Sequence, residues 1–264
     1  MDLVEVAKRN SVIHNRHPWE LARFEVVNDL LKNVIKNEEG YTVLDIGCGD
    51  IFFLLKLSEL YPKSDFYAID IAFTDEIIAQ LKKLAEGTNI SLFKTMDEAA
   101  AHLKKPADLV LLLDVVEHIE DDHGFLTSLK NNKAITTATH IIITVPAFQK
   151  LFCSHDHFLG HYRRYTNATL LKTIEKAGFT KLKLGYFFFC LIPPRILQVI
   201  KEKISKPDLT VHTTGLVEWN KGKGITDLIK NIMLLDFRIS KFIRSITGLS
   251  LVGLSNYILC KKSV

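Results

Sequence analysis

Cysteine is scarce in this chain: Cys48, Cys153, Cys190 and Cys260 are the four among 264 residues, widely scattered and with no Cys-x-x-Cys pair. That spacing argues against a disulfide framework or a thiolate zinc knuckle and fits a reducing, cytoplasmic setting. Long apolar runs are missing as well. None approaches the roughly 20 residues that cross a bilayer, although 47% of residues are apolar and the mean hydropathy is +0.12. The opening Met1-Asp2-Leu3-Val4-Glu5 lacks the basic start and apolar stretch of a signal peptide. Net charge is small, +4. Between positions 193 and 246 ten Lys/Arg stand against five Asp/Glu, so the remainder sums to −1. A surplus that small, with no RNA- or DNA-binding module beside it, argues against nucleic acid as a partner. Internal repeats and low-complexity tracts are absent too.

What is present is alternation. Residues 18–36 have helical spacing after Pro18, with Trp19, Phe24, Val27, Leu30, Leu31 and Val34 on the apolar positions. Strand and helix then alternate: strand to Ile46, helix to about Leu60, strand 65–69, helix 75–86, strand 90–94 and a short helix near 97–103. Strand 108–114, helix 122–130 and strand 140–145 follow, then helix 167–177 capped by Thr166 and closed by Gly178, and a strand from Phe179 to Leu184. This order predicts an α/β fold with a mainly parallel sheet and helices on both faces.

The first strand ends in Val43-Leu44-Asp45-Ile46-Gly47-Cys48-Gly49-Asp50. Glycines let the backbone pass close to a ligand. A turn for pyrophosphate presents bare amides and a helix N-terminus, whereas the carboxylate of Asp45 suits a cationic ligand end such as an amino acid ammonium. A nicotinamide-binding turn would also need a final glycine, and Gly47-Cys48-Gly49-Asp50-Ile51-Phe52 lacks it.

The Asp-x-Gly-x-Gly turn resembles the first motif of the class I S-adenosylmethionine-dependent methyltransferases, and further landmarks fall in that family's order across roughly residues 40–185. Asp70 ends the next apolar stretch, Asp114 ends Asp108–Leu113 and leads into Val115-Val116-Glu117-His118, and Ile141–Pro146 looks like the fifth strand. The resemblance implies a Rossmann-like seven-stranded sheet whose last strand, Ser255–Cys260, is antiparallel and slotted between the fifth and sixth. It implies S-adenosylmethionine as cofactor, S-adenosylhomocysteine as product, and Asp45, Gly47, Cys48, Gly49, Asp70, Ile71, Met96, Asp97, Asp114 and Val115 as cofactor-binding residues. Asp70 would hold the ribose hydroxyls, and Met96-Asp97 would lie at the adenine unless Asp97 only caps the short helix. The family usually has a third glycine where this chain has Ile51. A β-branched residue there could press on the cofactor or bend the turn; alternatively the helix begins one step earlier and Ile51 packs inward. On the first alternative the chain would be a non-catalytic binding or interaction protein.

A second cluster, His155-Asp156-His157 and Gly160-His161-Tyr162-Arg163-Arg164-Tyr165, follows the fifth strand and so belongs near the transferred methyl. His157, His161 and His118 are candidate catalytic residues, because a hydroxyl acceptor benefits from a base of near-neutral pKa. Arg163, Arg164 and Tyr165 are candidate substrate-binding residues, since arginine holds carboxylate or phosphate; the same residues could instead lock the loop onto the sheet. A metal site from His155, His157 and His161 matches no zinc spacing and lacks an obvious carboxylate, so no metal is expected.

Residues 186–250 are basic and apolar, opening on Tyr186–Ile192 and continuing in amphipathic stretches over 195–204 and 226–246 around a polar loop, 205–224. They could cap the substrate, form a lipophilic tunnel, lie on an anionic membrane or make a homodimer face. The expected division is therefore 1–38 as an N-terminal helical segment over the cofactor, 39–185 as the core, 186–250 as an insertion and 251–264 as the final strand. The whole pattern is similar to bacterial methyltransferases of specialised-metabolite, glycan and lipid pathways, quinone-type enzymes included. It implies O-methylation of a small aromatic, lipophilic or carrier-linked acceptor.

Overall fold

A computed structural model describes residues 16–32, 34–36, 39–205, 219 and 221–263. Seven strands form one sheet: β1 Thr42–Ile46, β2 Asp65–Ile69, β3 Ile90–Phe93, β4 Leu109–Leu113, β5 His140–Pro146, β6 Phe179–Phe187 and β7 Ser255–Lys262. Their order across the sheet is β3-β2-β1-β4-β5-β7-β6. Strands β1 to β5 pair in parallel, and β7 runs antiparallel between β5 and β6. Strand order reverses between β1 and β4, the point at which an open sheet of this kind leaves a crevice beyond its strand ends.

The helices are α1 Pro18–Leu31, α2 Phe52–Leu60, α3 Asp75–Leu84, α4 Met96–His102, α5 Asp122–Asn131, α6 Ser154–Phe158, α7 Asn167–Lys176, α8 Ile192–Ser205 and α9 Gly222–Thr247. Central strands read as continuous apolar runs because both faces are covered. Along β4, Leu109, Leu111 and Leu113 join the core under α1 and α2, while Val110 and Leu112 join the core under α5 and α7.

Three boundaries differ from the sequence expectation. Helix α1 stops at Leu31 rather than 36, where Val34 N turns back to Leu31 O at 2.7 Å. Strand β6 continues past Leu184 to Phe187, because Leu184 to Phe187 pair with Ile258 to Ser255. Phe187 and Phe188 are therefore buried, and only Phe189 of that phenylalanine run is substantially exposed. Much of the polar loop expected over 205–224, and much of the segment expected over 1–38, lie outside the described residues.

Helix α1 has its start written in its first residues. The His17 ring accepts from Trp19 N at 3.1 Å, Glu20 reaches back to His17 N at 3.2 Å, and Pro18 takes a first-turn position where its missing N–H is no loss. The helix packs against α9, whose Met233, Phe237 and Ser240 are buried.

Candidate active site

The glycine turn after β1 is built from backbone. Gly47 and Gly49 take left-handed torsions, φ +73° and +60°. A Cβ on Gly47 would lie 2.6 Å from Val115 Cγ2, so the close approach of β1 and β4 requires glycine there. Gly47 N donates to Ile69 O at 2.7 Å, tying the turn to the end of β2. Ile51 also sits in the left-handed region, at φ +56°, immediately before α2. Its side chain is fully buried in the core with Leu54 and Leu57. The turn thus keeps a glycine-like torsion at Ile51, and the side chain packs away from solvent rather than into the crevice.

Asp45 is 2% exposed, and burial pushes its carboxyl up to about 7, with the Arg23 charge opposing that rise. A buried carboxyl of this kind is poised to ionise when a cation reaches it. Burial and the Asp45 charge push the Cys48 thiol up, which keeps it protonated. At the end of β2, Asp70 is half-buried and its two oxygens accept from Gly49 N and Ala72 N, both at 3.0 Å. Each carboxylate oxygen keeps a further lone pair for a ligand hydroxyl. Ile71 beside it is 91% exposed, an apolar surface open for stacking. Thr95, not Asp97, caps α4, accepting from Glu98 N at 3.2 Å. Asp97 is exposed and accepts from Asn132 Nδ2 at 3.2 Å, with half-buried Met96 next to it.

Helix α1 and the residues that lead into it bring two arginines over this turn. Arg16 pairs with Asp50 and lies 4.4 Å from the centre of the Phe52 ring. Arg23 pairs with Asp114 and donates to Leu113 O at 3.5 Å. Asp114 has φ +57° and accepts from Thr144 Oγ1 at 3.2 Å. The four described non-glycine residues with positive φ are Ile51, Asp114, Phe148 and Phe188. They follow β1, β4, β5 and β6, so the strained backbone gathers at one edge of the sheet, as it does at ligand sites.

Beyond β5 the chain turns through Gln149–Leu151 and α6, then returns beside β5 with Ala147 bridged to Tyr165. Asp156 is fully buried at the centre of this loop. Its Oδ1 accepts from His161 Nδ1 and Arg164 Nε, both at 2.8 Å, and its Oδ2 accepts from Cys153 N at 2.9 Å. Burial alone would raise this carboxyl, but the bonds from His161 and Arg164 and the Arg195 charge hold it well below the usual range. A carboxylate only accepts, so the bond fixes the His161 proton on Nδ1 and leaves Nε2 as the basic nitrogen. The His118 ring meets the His161 ring edge-on, centres 4.6 Å apart. Glu117 is fully buried, and neither of its carboxyl oxygens has a hydrogen-bond partner among the described residues. Burial and the Asp114 charge raise its carboxyl well above the ordinary value. One ligand atom from each of Glu117, His118 and His161 lies within 4.8 Å of the others, close enough to bind one polar ligand or cation between them.

A model of the methyltransferase domain matches residues 19–184, which include the glycine turn, Asp70, Asp114 and the loop after β5. The chain belongs to the S-adenosylmethionine-dependent methyltransferase family. Solved structures share the fold at low identity. The [4+2]-cyclase SpnF is similar with TM-score 0.55 and 16% identity, over 99% of this chain and 92% of its own. Coclaurine N-methyltransferase, bound to N-methylheliamine and S-adenosylhomocysteine, is similar with TM-score 0.53 and 13% identity, over 90% and 70%. The plantazolicin methyltransferase BamL gives 0.54 and 14%, over 92% and 85%. No curated protein matches the chain in sequence.

In this methyltransferase the expected acceptor-side residues divide. His118 and His161 come together, with Glu117 as the carboxylate that spacing along the chain did not reveal. His157 is exposed and meets Phe152 edge-on at 4.9 Å, outside that trio. Arg164 is buried on Asp156 and donates to Ala147 O at 3.2 Å, while Arg163 bonds Glu120 O at 2.6 Å and Asp122 at 2.9 Å. Tyr165 OH donates to Asp122 at 2.6 Å. All three therefore hold the loop to the protein. The polar atoms of Arg164 and Tyr165 are engaged within the protein. Arg16 and Arg23 were not singled out from sequence; Glu117 was read only beside His118, as facing the acceptor or orienting the backbone, and Asp156 only as a member of the cluster His155-Asp156-His157. Neither arginine left a motif in the sequence: Arg16 precedes α1 and Arg23 lies within it.

Proposed function

We propose that this methyltransferase transfers the methyl group to an oxygen of a lipophilic or carrier-linked small acceptor, aromatic or long-chain. The observation that carries the reading is the Asp156–His161 pair, whose ring meets His118 beside the buried Glu117. The residues present fit the cofactor: Ile51 is turned into the core, the glycine backbone is open-angled, and Asp45 is a buried carboxyl that a cation would ionise. Asp45 with the Gly47-Cys48-Gly49 backbone would hold its amino acid end, Asp70 and Ile71 its ribose and an adenine face, Met96 and Asp97 the adenine edge. Asp114 and Val115 would close the floor of the crevice. When bound, S-adenosylmethionine supplies an electrophilic methyl group on a sulfonium.

On the acceptor side His161 takes the hydroxyl proton at Nε2. Asp156 holds the ring in the required tautomer and stabilises the imidazolium, while Arg164 keeps Asp156 ionised. Most of the acceleration comes from alignment of acceptor and donor, which is what a loop locked by buried ion pairs provides. The test is release of S-adenosylhomocysteine with phenolic and lipid-linked acceptors by wild type, His161→Gln and Asp156→Asn. A kcat loss of about 100-fold or more in His161→Gln, with cofactor binding unchanged, supports the reading. Turnover unaffected by His161→Gln removes it. Binding of the cofactor without turnover on any acceptor favours a non-catalytic member instead.

The unpartnered oxygens of Glu117 favour a second reading, in which Glu117, His118 and His161 hold a divalent cation that activates the acceptor. Loss of turnover in chelator, restored by added cation, would select it over the proton-acceptor role.

A further inference from the structure

Helix α9 leaves an apolar stripe in water. Ile225, Leu228, Ile232, Leu235, Ile239 and Phe242 recur at alternating steps of three and four, which keeps them on one side of the helix, and each is 47–66% exposed. Helix α8 adds Ile196, Leu197, Ile200 and Ile204, 40–78% exposed. Isolated surface apolar residues are ordinary, but ten on two helices that pack against the same turn, Phe189–Leu191, mark an interaction face.

The charge on these two helices is net positive. Lys201, Lys203, Lys221, Lys223 and Arg238 are exposed. The acids of the same helices are engaged with the protein. Glu202 accepts from Ser154 N and Oγ at 2.8 and 2.7 Å, Asp236 accepts from Cys190 N at 3.2 Å, and Asp227 pairs with Lys230 at 3.1 Å.

We propose that this face docks on an anionic lipid bilayer, with the apolar side chains entering the acyl boundary and the lysines meeting lipid phosphates. No helix among the described residues is long and apolar enough to cross a membrane, so the contact is with its surface. A second copy of the chain fits the face less well. It would bring two basic rims together, and of the positions beside the stripe only Asp236 and Arg238 are charged, Asp236 being already engaged at Cys190 N, whereas Ile229, Asn231, Ile243 and Ser245 are uncharged where a coiled coil places paired charges. The inner side of α8 grips the acceptor-side loop: Arg195 Nη1 is 2.6 Å from Cys153 Sγ and 3.6 Å from Asp156 Oδ2. One helix therefore joins the lipid-facing stripe to the loop that holds His161. The surface inference itself stands without any assignment of the reaction.

The test is sedimentation of the full chain with phosphatidylcholine vesicles, with and without phosphatidylglycerol, for wild type, Leu228→Gln/Leu235→Gln/Phe242→Gln and Lys221→Glu/Lys223→Glu. Wild type is expected to sediment with the anionic vesicles and to be released by salt, and the triple variant to partition at least about tenfold less. The charge variant should lose the preference for anionic over neutral vesicles. The replaced side chains are exposed, so thermal unfolding and S-adenosylmethionine titration should match wild type and separate a lost surface from a lost fold or site. No sedimentation of wild type, equal sedimentation with neutral vesicles, or an unchanged triple variant overturns the proposal. So does a concentration-dependent dimer in light scattering that the triple variant dissociates, which would assign the face to a second copy.

Discussion

On the β1–β2 side of the crevice the polar groups are mostly backbone amides at a glycine turn, held by Gly47 N to Ile69 O and Gly49 N to Asp70. On the β4–β5 side they are side chains from three segments, with buried Asp156 joining His161 and Arg164 while Glu117 and His118 come from the other strand end. A backbone site needs only a few adjacent residues of the right torsional freedom. A side-chain site needs the loop after β5 to fold back beside β5, and it fails as a unit if one buried charge is removed.

Breaking the second side should have the largest effect. Asp156→Ala leaves Arg164 buried without its partner and should destabilise the chain by about 3–5 kcal/mol, read by denaturant unfolding. In wild type the Asp156 pKa is depressed, so its contribution is fully present above the ordinary carboxyl value and is lost as pH falls through the lowered one. Asp156→Ala should therefore lose that acid-dependent part of the stability profile.

The first side breaks at the backbone. Gly47→Ala combines a Val115 clash with a left-handed torsion, together about 2–4 kcal/mol, and calorimetric titration should show S-adenosylmethionine affinity down about 100-fold. Ile51→Gly separates fold from site at the same turn. Restoring glycine relieves about 1–2 kcal/mol of torsional strain but removes a fully buried side chain worth about 2–5 kcal/mol. The variant should thus be less stable by roughly 1–3 kcal/mol, with cofactor affinity within about threefold of wild type. A gain of tenfold or more in affinity would mean that Ile51 obstructs the crevice after all.

The smallest effect is a pH slope. Asp45 carries a pKa raised to about 7 by burial, so the ligand-free chain loses stability as pH rises from the ordinary carboxyl range toward 7. A cationic ligand end prefers the ionised form. S-adenosylmethionine affinity should therefore climb by up to about tenfold per pH unit below 7 and level off above it, and Asp45→Asn should flatten the slope.

Much of the fold was legible because it rests on local pattern. Alternating apolar strands and amphipathic helices, Thr166 as a cap and Gly178 as a stop set the element order, and the landmark acids fell at strand ends. The strand boundary at Phe187 was not legible, since partners on β7 decide it and Tyr186–Ile192 reads as one apolar run. At the site, Asp45, Asp70 and the glycines were marked by short-range motif. Glu117 and Asp156 were not, because what distinguishes them is complete burial beside residues distant in sequence.

By itself the sequence determined that this chain would form a parallel α/β sheet with a glycine turn suited to a cationic ligand end. Those features depend on residue type and spacing within a few positions. Only the tertiary structure decided where Ile51 points, which histidine meets a buried carboxylate, that Arg164 holds the loop, and which face of α9 stays in water. Each of these is settled by what packs against the residue, and that partner lies elsewhere in the chain.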